Sequence, residues 1–202
     1  MDAETKDAFD IKAVQEMPPD ILKEKLLKYK LALQPNKHTH TWQTISQTIY
    51  NNWGSIENLF ASTDANTCHP EGTEGSPYHQ KVLIDAYSAD FLQLKQLIQH
   101  KYKRDFPYLS GPKIFNYWSF IISTYGKVNM KNREYISIAP DTHIIQASFK
   151  LGVITQVEAD KLSRDEIAER WRILLAGSGI NPIDMHAPLW FWSHNAFNDI
   201  HV

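Results

Sequence analysis

FPYLSGPKIFNYWSFIISTYGKVNMKNREYISIAPDTHIIQASFKLG, residues 106–152, holds two apolar helical runs, and each opens on an ionisable residue. Lys113 follows a Leu-Ser-Gly-Pro turn at the head of IFNYWSFIISTY, and Asp141 follows Ala139-Pro140 at the head of THIIQASFKLG. The first turn of a helix leaves backbone N–H groups unpaired at the positive end of the dipole. That field stabilises an aspartate and disfavours a protonated lysine, and burial in a pocket is expected to act on the lysine in the same sense. A readily neutralised lysine beside a carboxylate that stays ionised makes a nucleophile and its partner. The same residues have plainer readings. Asp before a helix is also an N-cap, and a lysine at a helix start is also a solvated cation.

Working outward, 202 residues are enough for one domain, or one domain with two lobes, around a real core. Hydrophobic residues make up 43% of the chain and no apolar run approaches the ~20 residues of a membrane span. The stretch MDAETKDAFDIK is acidic and carries no apolar signal-peptide core. A single cysteine, Cys68, excludes an internal disulfide, a cysteine-rich zinc site and a four-cysteine iron–sulfur cluster. The expectation is a reducing cytoplasm and no cofactor or metal. Net charge is −2, yet between Lys95 and Lys150 nine basic residues face three acidic ones. A basic stripe on a near-neutral chain is an electrostatic footprint for phosphate, or else solvated surface.

Residues 1–19 read as weakly structured. Asp20 then caps ILKEKLLKYKLAL, which Pro35 stops. NKHTHTWQTISQTIYNNW carries Trp42, Ile45, Ile49 and Trp53 at helical spacing, with Gly54 as its stop and Ser55 capping IENLFA. His38 and His40 stand at the start of that helix without a third metal ligand. Residues 62–80 form a polar loop that includes Cys68 and His69, after which VLIDAYSADFLQLKQLIQHKYK reads as one helix through Leu83, Tyr87, Leu94 and Ile98. In the next helix Ile114, Tyr117, Trp118, Ile121 and Ile122 form the apolar face. Gly152 closes the helix begun at Asp141. Thr155 with Glu158 and Ser163 with Glu166 each match a capping box, the second opening a helix that runs through Trp171 to Ala176. The tail INPIDMHAPLWFWSHNAF is a last helical run. No alternating strand stands out, and the fold class is all-α.

This layout resembles the helix-hairpin-helix superfamily of DNA glycosylases, whose lyase-competent members carry a lysine at the hairpin and an aspartate entering a downstream helix. Leu109, Gly111 and Lys113 correspond to the hairpin leucine, glycine and catalytic lysine, and Pro140-Asp141-Thr142-His143 is similar to the aspartate motif. The nearest branch is the archaeal 8-oxoguanine glycosylases. They are similar in the segment 136–141, in Leu151-Gly152-Val153-Ile154, in Gly179-Ile180-Asn181-Pro182 and in Leu189-Trp190. The likeness covers about residues 106–194. Two departures stand out. The superfamily hairpin usually reads Leu-Pro-Gly-Val-Gly, whereas here Pro112 replaces the second glycine and supplies no N–H. His186 falls where the archaeal branch has an acidic residue that helps recognise the base.

The resemblance implies a single domain over 1–202 in two helical lobes flanking a cleft, with 1–61 and 153–202 as one lobe and 82–152 as the other. It also implies the site. Lys113 attacks C1′ of a nucleotide flipped from damaged double-stranded DNA, Asp141 stabilises the cationic sugar, and the Schiff base nicks the strand. Trp190 stacks on the base, with Trp192 or an N-terminal tryptophan facing it, and His186 reads its edge. Gly111, Lys101, Lys103, Arg104, Lys127 and Lys131 hold the DNA backbone. The protein so implied is prokaryotic, nucleoid-associated, off the membrane and without a required protein partner. Three readings remain open from sequence: an oxidised-purine glycosylase with AP lyase activity, a glycosylase for another lesion, and a non-catalytic helical nucleic-acid-binding module.

Overall fold

A computed structural model describes residues 7–31, 33–64 and 87–198. Of the described residues 66% are helical and 4% lie in strands, so the class is all-α. The chain divides into two compact units, Met1–Gly111 and Pro112–Val202. This boundary differs from the expected lobes: it falls inside 82–152 and puts 1–61 and 153–202 in separate units. Pro112 explains its position, since a residue without an N–H ends the hydrogen bonding of one turn and is well suited to begin a new helix.

The first unit starts with a short 3-10 turn, Asp7–Phe9, and α1, Ile11–Glu16. Residues 7–16 are therefore ordered into helix, against the expectation of weak structure. Asp10 caps α1 by accepting from the amides of Lys12 and Ala13 at 3.0 and 2.9 Å. Ala8 and Val14 are buried with Leu22 and Leu26, and Trp42 Nε1 donates to the Ala8 carbonyl at 2.8 Å. Helix α2 spans Pro19–Lys28 with Pro18 at its N-cap, so Asp20 lies in its first turn rather than capping it. Helix α3 spans Pro35–Trp53, and Pro35 opens it instead of merely stopping α2. Gly54, at φ 75°, ends α3 in the left-handed conformation. Ser55 caps α4, Ile56–Ala61, through the Asn58 amide at 3.1 Å, as read from sequence.

Of the polar segment 62–80, residues 65–80 lie outside the described residues, as do Cys68, His69 and Leu83. The helix expected to be continuous from there starts later. A strand β1, Ser88–Asp90, comes first; Asp90 then caps α5, Phe91–Lys95, which runs on as a π-helical stretch, Gln96–Lys101.

The second unit opens with α6, Pro112–Thr124, followed by strand β2, Asn129–Lys131, and a 3-10 turn, Arg133–Tyr135. Then come α7, Thr142–Lys150; α8, Gln156–Lys161; α9, Arg164–Leu175; a 3-10 turn, Pro182–Met185; and α10, His186–His194. Both capping boxes form as expected, at Thr155 and at Ser163. The core gathers Ile138, Ile144, Ile154, Ile167, Trp171 and Leu189. Within it Trp171 Nε1 donates to Ser148 Oγ at 2.8 Å, and Ser148 donates to the Ile144 carbonyl at 2.7 Å. This ties α9 to the helix that Asp141 begins. The buried side of α6 is carried by Phe115 and Ser119, whereas Ile114 and Ile121 are 48% and 49% exposed. The expected apolar face is thus displaced around the helix.

Candidate functional site

Lys113 is the second residue of α6, and Asp141 is the N-cap of α7. The two carboxylate oxygens of Asp141 have different tasks. Oδ1 accepts from the amides of His143 and Ile144, both at 3.1 Å, which fixes the side chain at the helix end. Oδ2 points at Lys113 Nζ, 3.5 Å away. Burial pushes the Asp141 carboxyl upward, but the Ile144 amide, the Lys113 ammonium and the nearby His186 outweigh it and hold the group below the usual carboxylate range. The aspartate stays ionised, as expected. The lysine is not buried, since its side chain is 55% exposed, against 23% for Asp141.

Two more ionisable groups close around this pair. Tyr117 lies one turn after Lys113 on α6, and its ring meets that of His186 edge-on, with centroids 4.9 Å apart. Burial and the Asp141 charge together push the Tyr117 hydroxyl above its ordinary range, so it remains a hydrogen-bond donor. His186 opens α10 and is only 3% exposed. Burial pulls its imidazole below the ordinary range; Asp141 opposes this and Lys113 reinforces it. The Ala139 amide donates to His186 Nδ1 at 3.4 Å, which assigns the ring proton to Nε2. His186 thereby steadies Ala139-Pro140, the step that delivers Asp141 to its helix.

The C-terminal aromatics are brought near this group, but not all in the expected way. Trp190 is half-buried; His194 stacks on it at 4.7 Å with 15° between planes, and His143 meets it at 4.9 Å. One face of the indole is therefore covered by His194. Trp192 packs against Phe197 at 4.8 Å. Two residues along a helix point about 200° apart, so Trp192 does not face Trp190. His143 Nδ1 lies 3.2 Å from Ser193 Oγ, which in turn donates to Gln146 at 3.0 Å.

Among the cations assigned to DNA, Lys101, Lys103 and Arg104 are exposed in the first unit, while in the second Lys127 is exposed and Lys131 half-buried. Gly111 departs from its expected part. Its amide donates to the Tyr108 carbonyl at 2.9 Å and so is engaged within the turn. With Pro112 lacking an N–H, neither residue offers a backbone donor to a phosphate.

Sequence reasoning missed Tyr117, His143 and His194. Tyr117 was within reach of it, because residues four apart share a helix face and Lys113 marks that face. Among the described residues no group of three or more His, Cys, Asp or Glu is placed to hold a metal ion, and no helix is long and apolar enough to cross a membrane. Comparison with protein-family models, with curated proteins and with solved structures gives no match. The arrangement itself is an exposed amine against a fixed carboxylate, flanked by a phenol and a buried imidazole. It suits proton transfer from the amine followed by nucleophilic attack.

Proposed function

We propose that the chain is a DNA N-glycosylase with AP lyase activity, acting on an oxidised purine of the 8-oxoguanine kind in double-stranded DNA at a prokaryotic nucleoid. The observation that carries this reading is the 3.5 Å approach of Lys113 Nζ to Asp141 Oδ2, with the other carboxylate oxygen fixed by the helix amides. Lys113 passes a proton to Asp141, and its freed electron pair attacks C1′. The N-glycosidic bond breaks as the base departs with the bonding pair and takes up a proton. While charge builds on the sugar, a fixed carboxylate stabilises it without reorganising. Ring opening gives a protonated Schiff base, and loss of a C2′ proton expels the 3′ phosphate. Trp190 offers its uncovered indole face to the flipped base, and the exposed cations hold the backbone in a salt-dependent way.

A second reading is favoured by His186. Its Nε2–H is a donor, whereas a carboxylate at that position would accept. If that edge meets the base, the preferred lesion presents an acceptor there, and a lesion other than 8-oxoguanine is excised. One experiment tests both readings: a panel of lesion-bearing duplexes incubated with borohydride. Covalent trapping is expected on one lesion class and is lost in Lys113→Gln, while DNA binding persists because the other cations are untouched. Undiminished trapping by Lys113→Gln would show that another amine attacks. Failure of the parent protein to trap any lesion would remove the lyase.

A further inference from the structure

Tyr108 occupies the left-handed region, at φ 63°. Bulky side chains are rare there, and such outliers gather at ligand contacts. The turn enforces this conformation from both sides. Ser110 N donates to the Phe106 carbonyl and Gly111 N to the Tyr108 carbonyl, each at 2.9 Å, while Phe106 and Leu109 are buried at 0% and 8% exposure. With both anchors turned inward, Tyr108 is held outward and remains 43% exposed. Glycine or asparagine would sit here with less strain, so the ring calls for an explanation that local folding does not supply.

Its surroundings provide one. From the first turn of α3, Lys37 Nζ stands 5.2 Å from the centre of the Tyr108 ring, and the His38 imidazole meets the ring edge-on at 6.3 Å. Lys101, Lys103 and Arg104 are exposed in the segment leading into the turn, opposed there only by Asp105. A flat aromatic surface bordered by cations matches the two chemical parts of a nucleotide, a π-face and a phosphate. In an intact duplex the base faces are covered by their neighbours, so the open ring fits an unpaired base. We propose that Tyr108 and Lys37 form a stacking contact for an unpaired nucleotide of a DNA strand. The base lies on the phenol ring and a flanking phosphate meets Lys37. This rests on the nucleic-acid part of the proposed function and not on the chemistry of Lys113.

The test uses the full chain and a fluorescein-labelled oligothymidylate, alone and paired with its complement, followed by anisotropy over a range of salt. Tyr108→Asn removes the ring and tolerates the left-handed backbone, Tyr108→Phe keeps the ring, and Lys37→Gln removes the charge. Tyr108→Asn should weaken single-strand binding roughly 5- to 150-fold, the equivalent of about 1–3 kcal/mol, with the salt slope unchanged. Tyr108→Phe should bind like the parent. Lys37→Gln should lower the salt slope by ~0.7, the value for one phosphate on a single strand. Single-strand binding by Tyr108→Asn at parental strength, an equal loss on duplex, or an equal loss in Tyr108→Phe would each overturn the proposal. Borohydride trapping in parallel separates the two ideas. Ring-dependent binding without trapping refutes the glycosylase alone; trapping with ring-independent binding refutes the stack alone.

Discussion

Asp141→Asn and Asp141→Ala differ in a way the structure makes measurable. Asparagine keeps an oxygen able to accept from the His143 and Ile144 amides, whereas alanine leaves both donors without their cap. Loss of an N-cap costs about 1 kcal/mol. The ion pair with Lys113 adds at most about 0.5 kcal/mol, because the lysine is 55% exposed and solvent screens it. Alanine should therefore cost about 1–1.5 kcal/mol, a fall in melting temperature of roughly 3–5 °C, and asparagine less than about half of that. The pH dependence has a definite sign. Asp141 is held below its ordinary range in the folded chain, so its contribution is present above about pH 4 and is lost as pH falls through the folded value. The gap between parent and Asp141→Ala should close on acidification. In excision assays both variants should lose roughly 100- to 1,000-fold, as expected when a fixed transition-state charge is removed. Thermal melts at neutral and acid pH, beside single-turnover excision, read all of this. An asparagine variant as unstable as the alanine one would refute the cap, and one that excises at the parental rate would refute the electrostatic role.

Other expectations follow from particular contacts. His186→Asp was expected from sequence to change lesion preference at little cost in stability; because the site is buried beside Asp141, it should instead destabilise the fold clearly, by like-charge repulsion and desolvation, in a denaturant titration. Since burial holds His186 below its ordinary range, the unfolded chain binds more protons between the folded value and about 6.5, so stability should fall as pH drops through that window and flatten in His186→Gln. Gly126→Ala would place a Cβ 2.7 Å from the Ile122 carbonyl and should cost about 1–3 kcal/mol by urea unfolding. Trp171→Phe removes the donor to Ser148 while Ser148 keeps Ile144, and should cost about 1 kcal/mol in the same assay.

What the sequence made legible was local. Ser55, Asp141, Thr155 and Ser163 announce helix starts because a cap depends on three or four consecutive residues. The Lys113–Asp141 pair was legible as two helix starts, and their meeting at 3.5 Å adds what tertiary packing decides. The buried face of α6 was not legible, because IFNYWSFIIST is apolar almost all the way round and its periodicity selects no side. Pro35 was ambiguous for a physical reason: the ring that ends one helix also suits the first position of the next. The burial of His186 depends on Tyr117 and Ala139, 69 and 47 positions back along the chain by their numbers, and no local pattern encodes it.

The π-helical stretch at Gln96–Lys101 carries a further consequence, for chain length. Its last bond runs from the Tyr102 amide to the Leu97 carbonyl at 2.8 Å, one residue longer than an α-helical closure. Removing one residue there would let the helix wind on regularly and would turn everything after it by about 100° with a shift of ~1.5 Å along the axis. Tyr102, whose ring now meets Trp53 at 5.2 Å, would swing away from it. Length at this point therefore acts as an angular setting. A deletion variant could keep its helix content while aiming the 102–111 turn in a new direction, so homologous chains that differ by one residue here would be expected to present that turn differently.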